Sequence, residues 1–451
     1  MFNSEKVITH LVRISSNIKP VTPDSSKSLK HGWLKEGVFV QLDDADIEEK
    51  ESAIQDILAD RFIEANFPRD YIEDQINSII SNSFKLSPEK RTGFITDEIR
   101  KLPGELRNNV KEWTVLIPID NLKIDNQILI GDVIFYPSGN TTNIHRIISL
   151  LEKILENNRF HSEEEKERIL NQQLTVLEKS ANGVLITFAE VKTKGIIEIA
   201  QMEAMKKIRM ALNILRLYNF PNDITNRSYF GICGEVIRSN IRYTMRYESE
   251  LPIAKLNPII ERTGFVIPFE LTEKRLELMR NKGYSDLITF FKSQRQTDFQ
   301  KRLLNTIYWY GEAINTQINF DTKEELKSES DFKHLQYFNA NQKFLKLMVA
   351  LESILLFDEN EPVTNNVAER TAFLLADTYE ERKEIKTIIK DFYKKRSSII
   401  HHGKSSPSIA ELNQFSWIVQ ATIFKLTELI PAIPLTEKKD LQQYFEKIKL
   451  S

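Results

Sequence analysis

Near the C-terminus the chain reads Tyr393-Lys394-Lys395-Arg396-Ser397-Ser398-Ile399-Ile400-His401-His402-Gly403. An arginine precedes a histidine by five residues and a second histidine follows at once, in a chain with only seven histidines. A guanidinium carries a permanent charge and holds a phosphate bidentately. An imidazole titrates near neutrality and so can move a proton at ordinary pH. RNA supplies its own nucleophile, the 2′-hydroxyl beside each phosphate. These two side chains are therefore a minimal kit for cutting RNA without a metal. The imidazole takes the 2′-hydroxyl proton or protonates the departing 5′-oxygen, while the guanidinium stabilises the charge gathering on the phosphate. DNA lacks the internal nucleophile and resists this route. The spacing alone is weak, because an arginine and a histidine five apart are common and histidines favour the negative pole at a helix end.

The elements around this run constrain it. Apolar residues recur at Ile385, Ile388, Ile389, Phe392, Tyr393, Ile399 and Ile400, and Arg396 takes the next inward position of that helix. A charge so placed needs a partner, since unpaired burial is costly. Glu352 shares a helix face with Leu345, Met348 and Leu355 and is the candidate to orient Arg396 or Arg370. The bland alternative is a plain core salt bridge. Helical geometry does not choose the histidine: at about 100° per residue, His401 lies about 140° around from Arg396 and His402 about 120° on the other side. Gly403 signals the end of the helix, so both rings can leave ideal positions. A site shared by two copies, each giving an Arg–His pair, is another way to unite them. Lys394, Lys395 and Lys404 flank the run and either guide an RNA backbone electrostatically or form a solvated helix face.

Composition frames these residues. With 451 residues, 41% of them apolar and 28% charged, the chain is an ordinary globular protein of two or three domains. The formal net charge of -2 excludes a generally basic nucleic-acid coat. Only 14 glycines and 15 prolines occur, too few for a turn-rich all-β fold, so helix should dominate. The single cysteine, Cys233, can build neither a disulfide framework nor a cysteine zinc site within one chain. The first ten residues have no apolar signal core, and the most apolar stretch, Phe344 to Phe357, is short and carries Lys346 and Glu352. A cytoplasmic protein without membrane contact is expected. No phosphate loop, H-E-x-x-H or G-x-G-x-x-G motif is present. The clusters Asp43-Asp44-Ala45-Asp46 and Glu163-Glu164-Glu165 read as solvated surface. Neither metal nor cofactor is expected.

The expected fold class is mainly α, with an α+β N-terminal and middle region and a C-terminal helical bundle. Residues 1–110 read as mostly helical, with Ile54, Ile57, Leu58, Phe62 and Ile63 at helical spacing. Residues 111–290 read as α+β. Strands are expected over 112–120, 127–136 and 183–191, a helix over 195–218, and further strands near Phe230 and Ile241. Residues 295–451 read as helices over 298–316, 339–357, 365–376, 380–402 and 412–429, with a short last helix carrying Leu441, Tyr444, Phe445 and Ile448. The 339–357 helix is apolar on most faces and should be central. Pro431 and Pro434 should end the helix before them.

Several C-terminal segments, in order, resemble the ApeA-like branch of the HEPN superfamily. Ile307-Tyr-Trp-Tyr-Gly-Glu-Ala313 looks like the first helix of that domain, and Phe344-Leu-Lys-Leu-Met-Val-Ala-Leu-Glu352 like its apolar helix with a Leu-Glu pair. Glu369-Arg370-Thr-Ala-Phe-Leu-Leu375 resembles the next helix, and Phe392 to Gly403 its signature. The resemblance covers about residues 295 to 450. Many members of the wider superfamily carry Asn, Asp or His after the arginine, where Ser397 stands here; the ApeA-like branch tolerates serine. The resemblance implies a small helical bundle that dimerises, or assembles further, and brings two R-x4-6-H motifs into one cleft. It implies a metal-independent RNA endonuclease of phage defence, with Arg396 and His401 as catalytic pair and His402 as alternate. Glu352, Arg370, Ser397 and Tyr393 would support them. Residues 1–290 would then sense a phage-derived trigger. Two other readings stand beside it: a non-catalytic RNA-binding or dimerisation bundle, and the toxin of a toxin–antitoxin pair.

Overall fold

A computed structural model describes residues 2–17, 32–35, 38–137, parts of 162–171, 187–219, 230–232, 242–246, 257–261, 269–293, 295–316, 329–358, 360–402, 406–430 and 435–450. Fourteen α-helices and eleven β-strands lie among the described residues, so helix dominates as the composition requires. The chain divides into two compact units, Met1–Val115 with Lys192–Met205, and Leu116–Val191 with Lys206–Ser451.

The first unit is built on α1 (Ser4–Asn17), α2 (Asp44–Leu58), α3 (Arg61–Asn66), α4 (Arg69–Ser83) and α5 (Pro88–Asn109), with a hairpin of β1 (Gly32–Lys35) and β2 (Val38–Gln41). Its core is aliphatic: Val7, Leu11 and Ile14 of α1 meet Ile54 and Ile57 of α2, Ile72, Ile76 and Ile80 of α4, and Ile95, Ile99 and Leu102 of α5. The three- and four-residue spacing of these positions is what buries one stripe of each helix. The acidic run at residues 43–46 opens α2. Asp43 is its N-cap and accepts from the Asp46 amide at 2.8 Å, which satisfies a donor the helix cannot. Of the run at residues 163–165, Glu163 lies outside the described residues.

The middle of the chain forms β3 (Lys111–Asp120), β4 (Leu122–Ile124), β5 (Ile128–Ile130), β6 (Val133–Tyr136), β7 (Thr187–Gly195) and β8 (Gly231–Ile232). Five of these make one sheet in the order β5-β6-β7-β3-β8, and β4 pairs in parallel with β11 (Phe269–Leu271). The two expected strands over 112–136 are four. The first is β3, Asn121 (φ 59°) separates it from β4 in the intervening segment, and Gly131 (φ 61°) folds the second into the β5–β6 hairpin. The strand expected at 183–191 is described from Thr187 and continues to Gly195; residues 183–186 and Cys233 lie outside the described residues. β9 (Arg242–Arg246) and β10 (Asn257–Glu261) form a separate antiparallel pair, and α6 (Ile197–Leu217) is the helix expected after β7.

From residue 273 onward every described element is helical: α7 (Glu273–Arg280), α8 (Tyr284–Lys292), α9 (Asp298–Asn315), α10 (Glu329–Leu355), α11 (Val363–Leu375), α12 (Tyr379–His402), α13 (Ile409–Leu429) and α14 (Lys438–Leu450). α10 is the central helix, packing against α9, α11, α12 and α13. Phe344, Leu347, Met348, Leu351, Ile354 and Leu355 are all buried on it. It begins at Glu329, ten residues before its expected start at 339. Gly311 on α9 has a steric purpose. A Cβ there would meet Asn213 Oδ1 at 2.3 Å, so only glycine lets α6 and α9 approach. Asn213 then donates to Glu312 at 3.2 Å and accepts from buried Arg216 at 2.5 Å.

Candidate active site

Three phenyl rings set the orientation of α12. Phe392 lies 4.6 Å from Phe415 of α13 and 5.8 Å from Phe344 of α10, and Phe344 and Phe415 are 5.2 Å apart. Phe392 and the adjacent Tyr393 are buried. Arg396 follows one turn after Phe392, on the same side of the helix, just beyond the ring cluster. Its side chain is 38% exposed, so it sits at the rim of the core with its head within reach of solvent.

Glu352 is the carboxylate that faces it. The Arg396 Nη1 to Glu352 Oε1 separation is 3.9 Å, with Glu352 only 17% exposed. That distance is an ion pair and too long for a hydrogen bond. Glu352 therefore holds the guanidinium by charge without engaging that N–H. The same oxygen accepts from the Tyr393 hydroxyl at 2.9 Å, so the phenol and the guanidinium converge on one carboxylate. Burial, and then the Glu352 charge, push the Tyr393 hydroxyl well above its ordinary pKa, so it is a permanent donor.

Arg370, the other candidate partner of Glu352, is placed elsewhere. Its guanidinium makes a fork to Glu361 at 2.9 and 2.7 Å, donates to the Leu355 carbonyl at 2.5 Å and lies 4.0 Å above the Phe357 ring. Together with Arg302, which donates to the Ser353 carbonyl at 2.8 and 3.0 Å, it satisfies the last carbonyls of α10. Burial opposes ionisation of Glu361, but hydrogen bonds from Arg370, the Phe357 amide and Asn366 outweigh it and lower the carboxyl to about 2. Glu361 lies just ahead of α11, and no helical spacing links it to Arg370. Only the preceding Glu361-Pro362 boundary, a helix start, hinted that the carboxylate would turn inward.

α12 is helical through His402, the end expected for it, and Gly403 and Lys404 lie outside the described residues. His401 is exposed, and the His402 side chain lies outside the described ones. Because the helix does not unwind, the roughly 140° between Arg396 and His401 persists. Ser397 is exposed on the turn between them. Lys394 pairs with Asp391 at 2.8 Å, and Lys395 pairs with Glu411. Glu411 also completes the capping box of α13 with Ser408, so Lys395 ties α12 to the start of α13. Sequence reasoning missed that role; the Ser408-x-x-Glu411 signature was readable, its cation was not. Among the described residues no group of three His, Cys, Asp or Glu is arranged to hold a metal ion, and no helix is long and apolar enough to cross a membrane.

The arrangement offers a charge-stabilising guanidinium at a rim, buttressed from below by a carboxylate and a phenol, with an exposed imidazole further along the same helix. Comparison with known proteins found no matching family model, no matching curated protein and no matching solved structure.

Proposed function

We propose that the chain is a metal-independent endoribonuclease of HEPN type, acting in the cytoplasm as an effector of anti-phage defence. The observation that carries this reading is Arg396 itself: a half-exposed guanidinium held at 3.9 Å by Glu352, which Tyr393 in turn fixes. A purely structural arginine would be expected to bind as Arg370 does, through a closed fork. Arg396 is instead positioned by charge, with its head presented to an incoming phosphate. In the reaction, the 2′-oxygen bonds to phosphorus as the bond to the 5′-oxygen breaks. An imidazole, His401 or His402, receives the 2′-proton, and a second protonated group supplies one to the 5′-oxygen. The products are a 2′,3′-cyclic phosphate and a 5′-hydroxyl.

The divergence of Arg396 and His401 on a continuous helix favours a cleft formed by two copies of α12, hence a homodimer through the C-terminal bundle. The N-terminal and middle regions would restrain the nuclease until a phage-derived trigger acts. The same divergence also favours a second reading, in which the bundle binds RNA or dimerises without cutting.

Incubation with total RNA in EDTA separates the two. Fragments ending in 2′,3′-cyclic phosphate are expected from the parent and from neither Arg396→Ala nor the double variant His401→Ala, His402→Ala, provided both variants retain the parent's helical signal. Cutting by Arg396→Ala at the parental rate would overturn the assignment. A stable RNA complex that the parent never cuts, tested with phage-infected extract present, would favour the binding reading.

A further inference from the structure

Between α11 and α14 lies a cavity of about 190 Å³ that the proposed chemistry does not use. It is far smaller than the roughly 300–1,000 Å³ of pockets for drug-sized ligands, so it suits a single small ring system. Phe357, Phe373 and Phe445 line it together with polar residues, among them the exposed Gln442 and Glu446 of α14. Phe357 and Phe445 lie 6.2 Å apart with their planes 36° from parallel. The Arg370 guanidinium, held by Glu361, lies 4.0 Å from the Phe357 ring centre and adds a planar cation to the lining.

The lining cations are already paired, so the cavity takes a base and leaves any phosphate of a nucleotide outside it. Arg370 is neutralised by Glu361, and the Lys449 ammonium sits on Glu369 at 2.6 Å. Glu446 leaves the mouth with acceptor character, oriented by a 3.1 Å hydrogen bond from Gln442 to its Oε1. A matching ligand is flat, aromatic and uncharged, stacks on phenyl and guanidinium faces, and carries N–H donors on its edge. A nucleobase meets each requirement. Guanine meets them best, since its N1–H and amino group can both donate to one carboxylate.

We propose that this cavity is a nucleobase pocket selective for guanine, occupied either by a base of substrate RNA or by a free guanine nucleotide. The RNA source rests on the ribonuclease reading above; the pocket's chemistry does not.

Ligand-observed NMR titration of the full chain with guanosine, adenosine, cytidine and uridine reads the pocket directly. Guanosine should bind most tightly. Phe373→Ala and Glu446→Gln should each weaken it by about ten-fold or more, the loss expected for one stacking or edge contact. Glu446 is at the surface, so its variant should keep the parental Tm and remains informative if Phe373→Ala misfolds. No binding of guanosine, or parental affinity in Glu446→Gln, overturns the pocket. The source follows from RNA digests. A guanine preference at the cleavage sites that Glu446→Gln removes marks substrate RNA. Unchanged sites, with guanosine 5′-monophosphate altering the rate of the parent alone, mark a free nucleotide. Protein that binds guanosine yet cuts no RNA keeps the pocket and loses the nuclease.

Discussion

Arg396 and Arg370 have the same side chain, but Arg370 is 14% exposed and Arg396 38%, and their partners differ in kind. Arg370 is closed into a bidentate pair and caps a helix; Arg396 is held at arm's length by a carboxylate that a phenol also grips. The Tyr393 hydroxyl matters because it is the donor that fixes Glu352. Tyr393→Phe removes that bond and leaves a largely buried carboxylate short of one partner. The expected cost is about 1–3 kcal/mol of stability in urea, together with slower RNA cleavage as Arg396 loses its fixed counter-charge. A Tyr393→Phe protein as stable and as active as the parent would remove this tyrosine from the site. That Glu352 would pair with an arginine was legible, because an inward charge on a central apolar helix demands a partner. The choice between Arg396 and Arg370 was not legible, because it depends on where the α10–α11 connection places Glu361.

At the scale of elements, α12 is the part that presents the site, and its pose comes from two sources. The Phe344–Phe392–Phe415 cluster sets its rotation, and the Lys395–Glu411 pair joins its last turns to the cap of α13. The C-terminal end of α10 is closed by Arg302 and Arg370, so a change there reaches Glu352 one turn away. Arg370→Ala leaves Glu361 buried without its cation and should cost roughly 3–5 kcal/mol in denaturant unfolding. A loss below about 1 kcal/mol, the range of surface pairs, would show that the fork carries little. The periodicity of α12 and α13 could be read directly, because one face of each is apolar at helical spacing. The start of α10 at Glu329 was missed, although Phe332, Leu335 and Phe338 recur there at helical spacing.

At the scale of the whole molecule, pH acts through the carboxylates that tie the bundle together. Glu361 has its carboxyl lowered from 4.5 to about 2. Glu369, through Lys449 first, and Glu411, through Lys395 against its own burial, are shifted the same way. Folded-state values below the unfolded ones stabilise the protein above the ordinary carboxyl pKa, and that stabilisation is lost as protons bind. The urea midpoint should therefore hold above pH 4.5 and fall as pH drops towards 2, with a shallower fall in Glu361→Gln. An equal slope in the variant would show that Glu361 does not govern acid unfolding. The division into two units, by contrast, has no signature in composition. Residues 192–205, the end of β7 and the first turns of α6, cluster with the N-terminal helices although they lie far from them in sequence.

Helical dominance, the α+β middle and the positions of the C-terminal helices were determined by the sequence alone, because burial of one apolar face is a local, periodic demand. The Arg-x4-His run and the need of Arg396 for a carboxylate were equally plain, since residue type dictates both. Tertiary structure decided that Glu352 serves Arg396 while Glu361 takes Arg370. It also decided that Phe357, Phe373 and Phe445, from a connection and two helices, line one cavity. Such pairings join residues whose separation along the chain carries no period, so only packing in three dimensions can choose them.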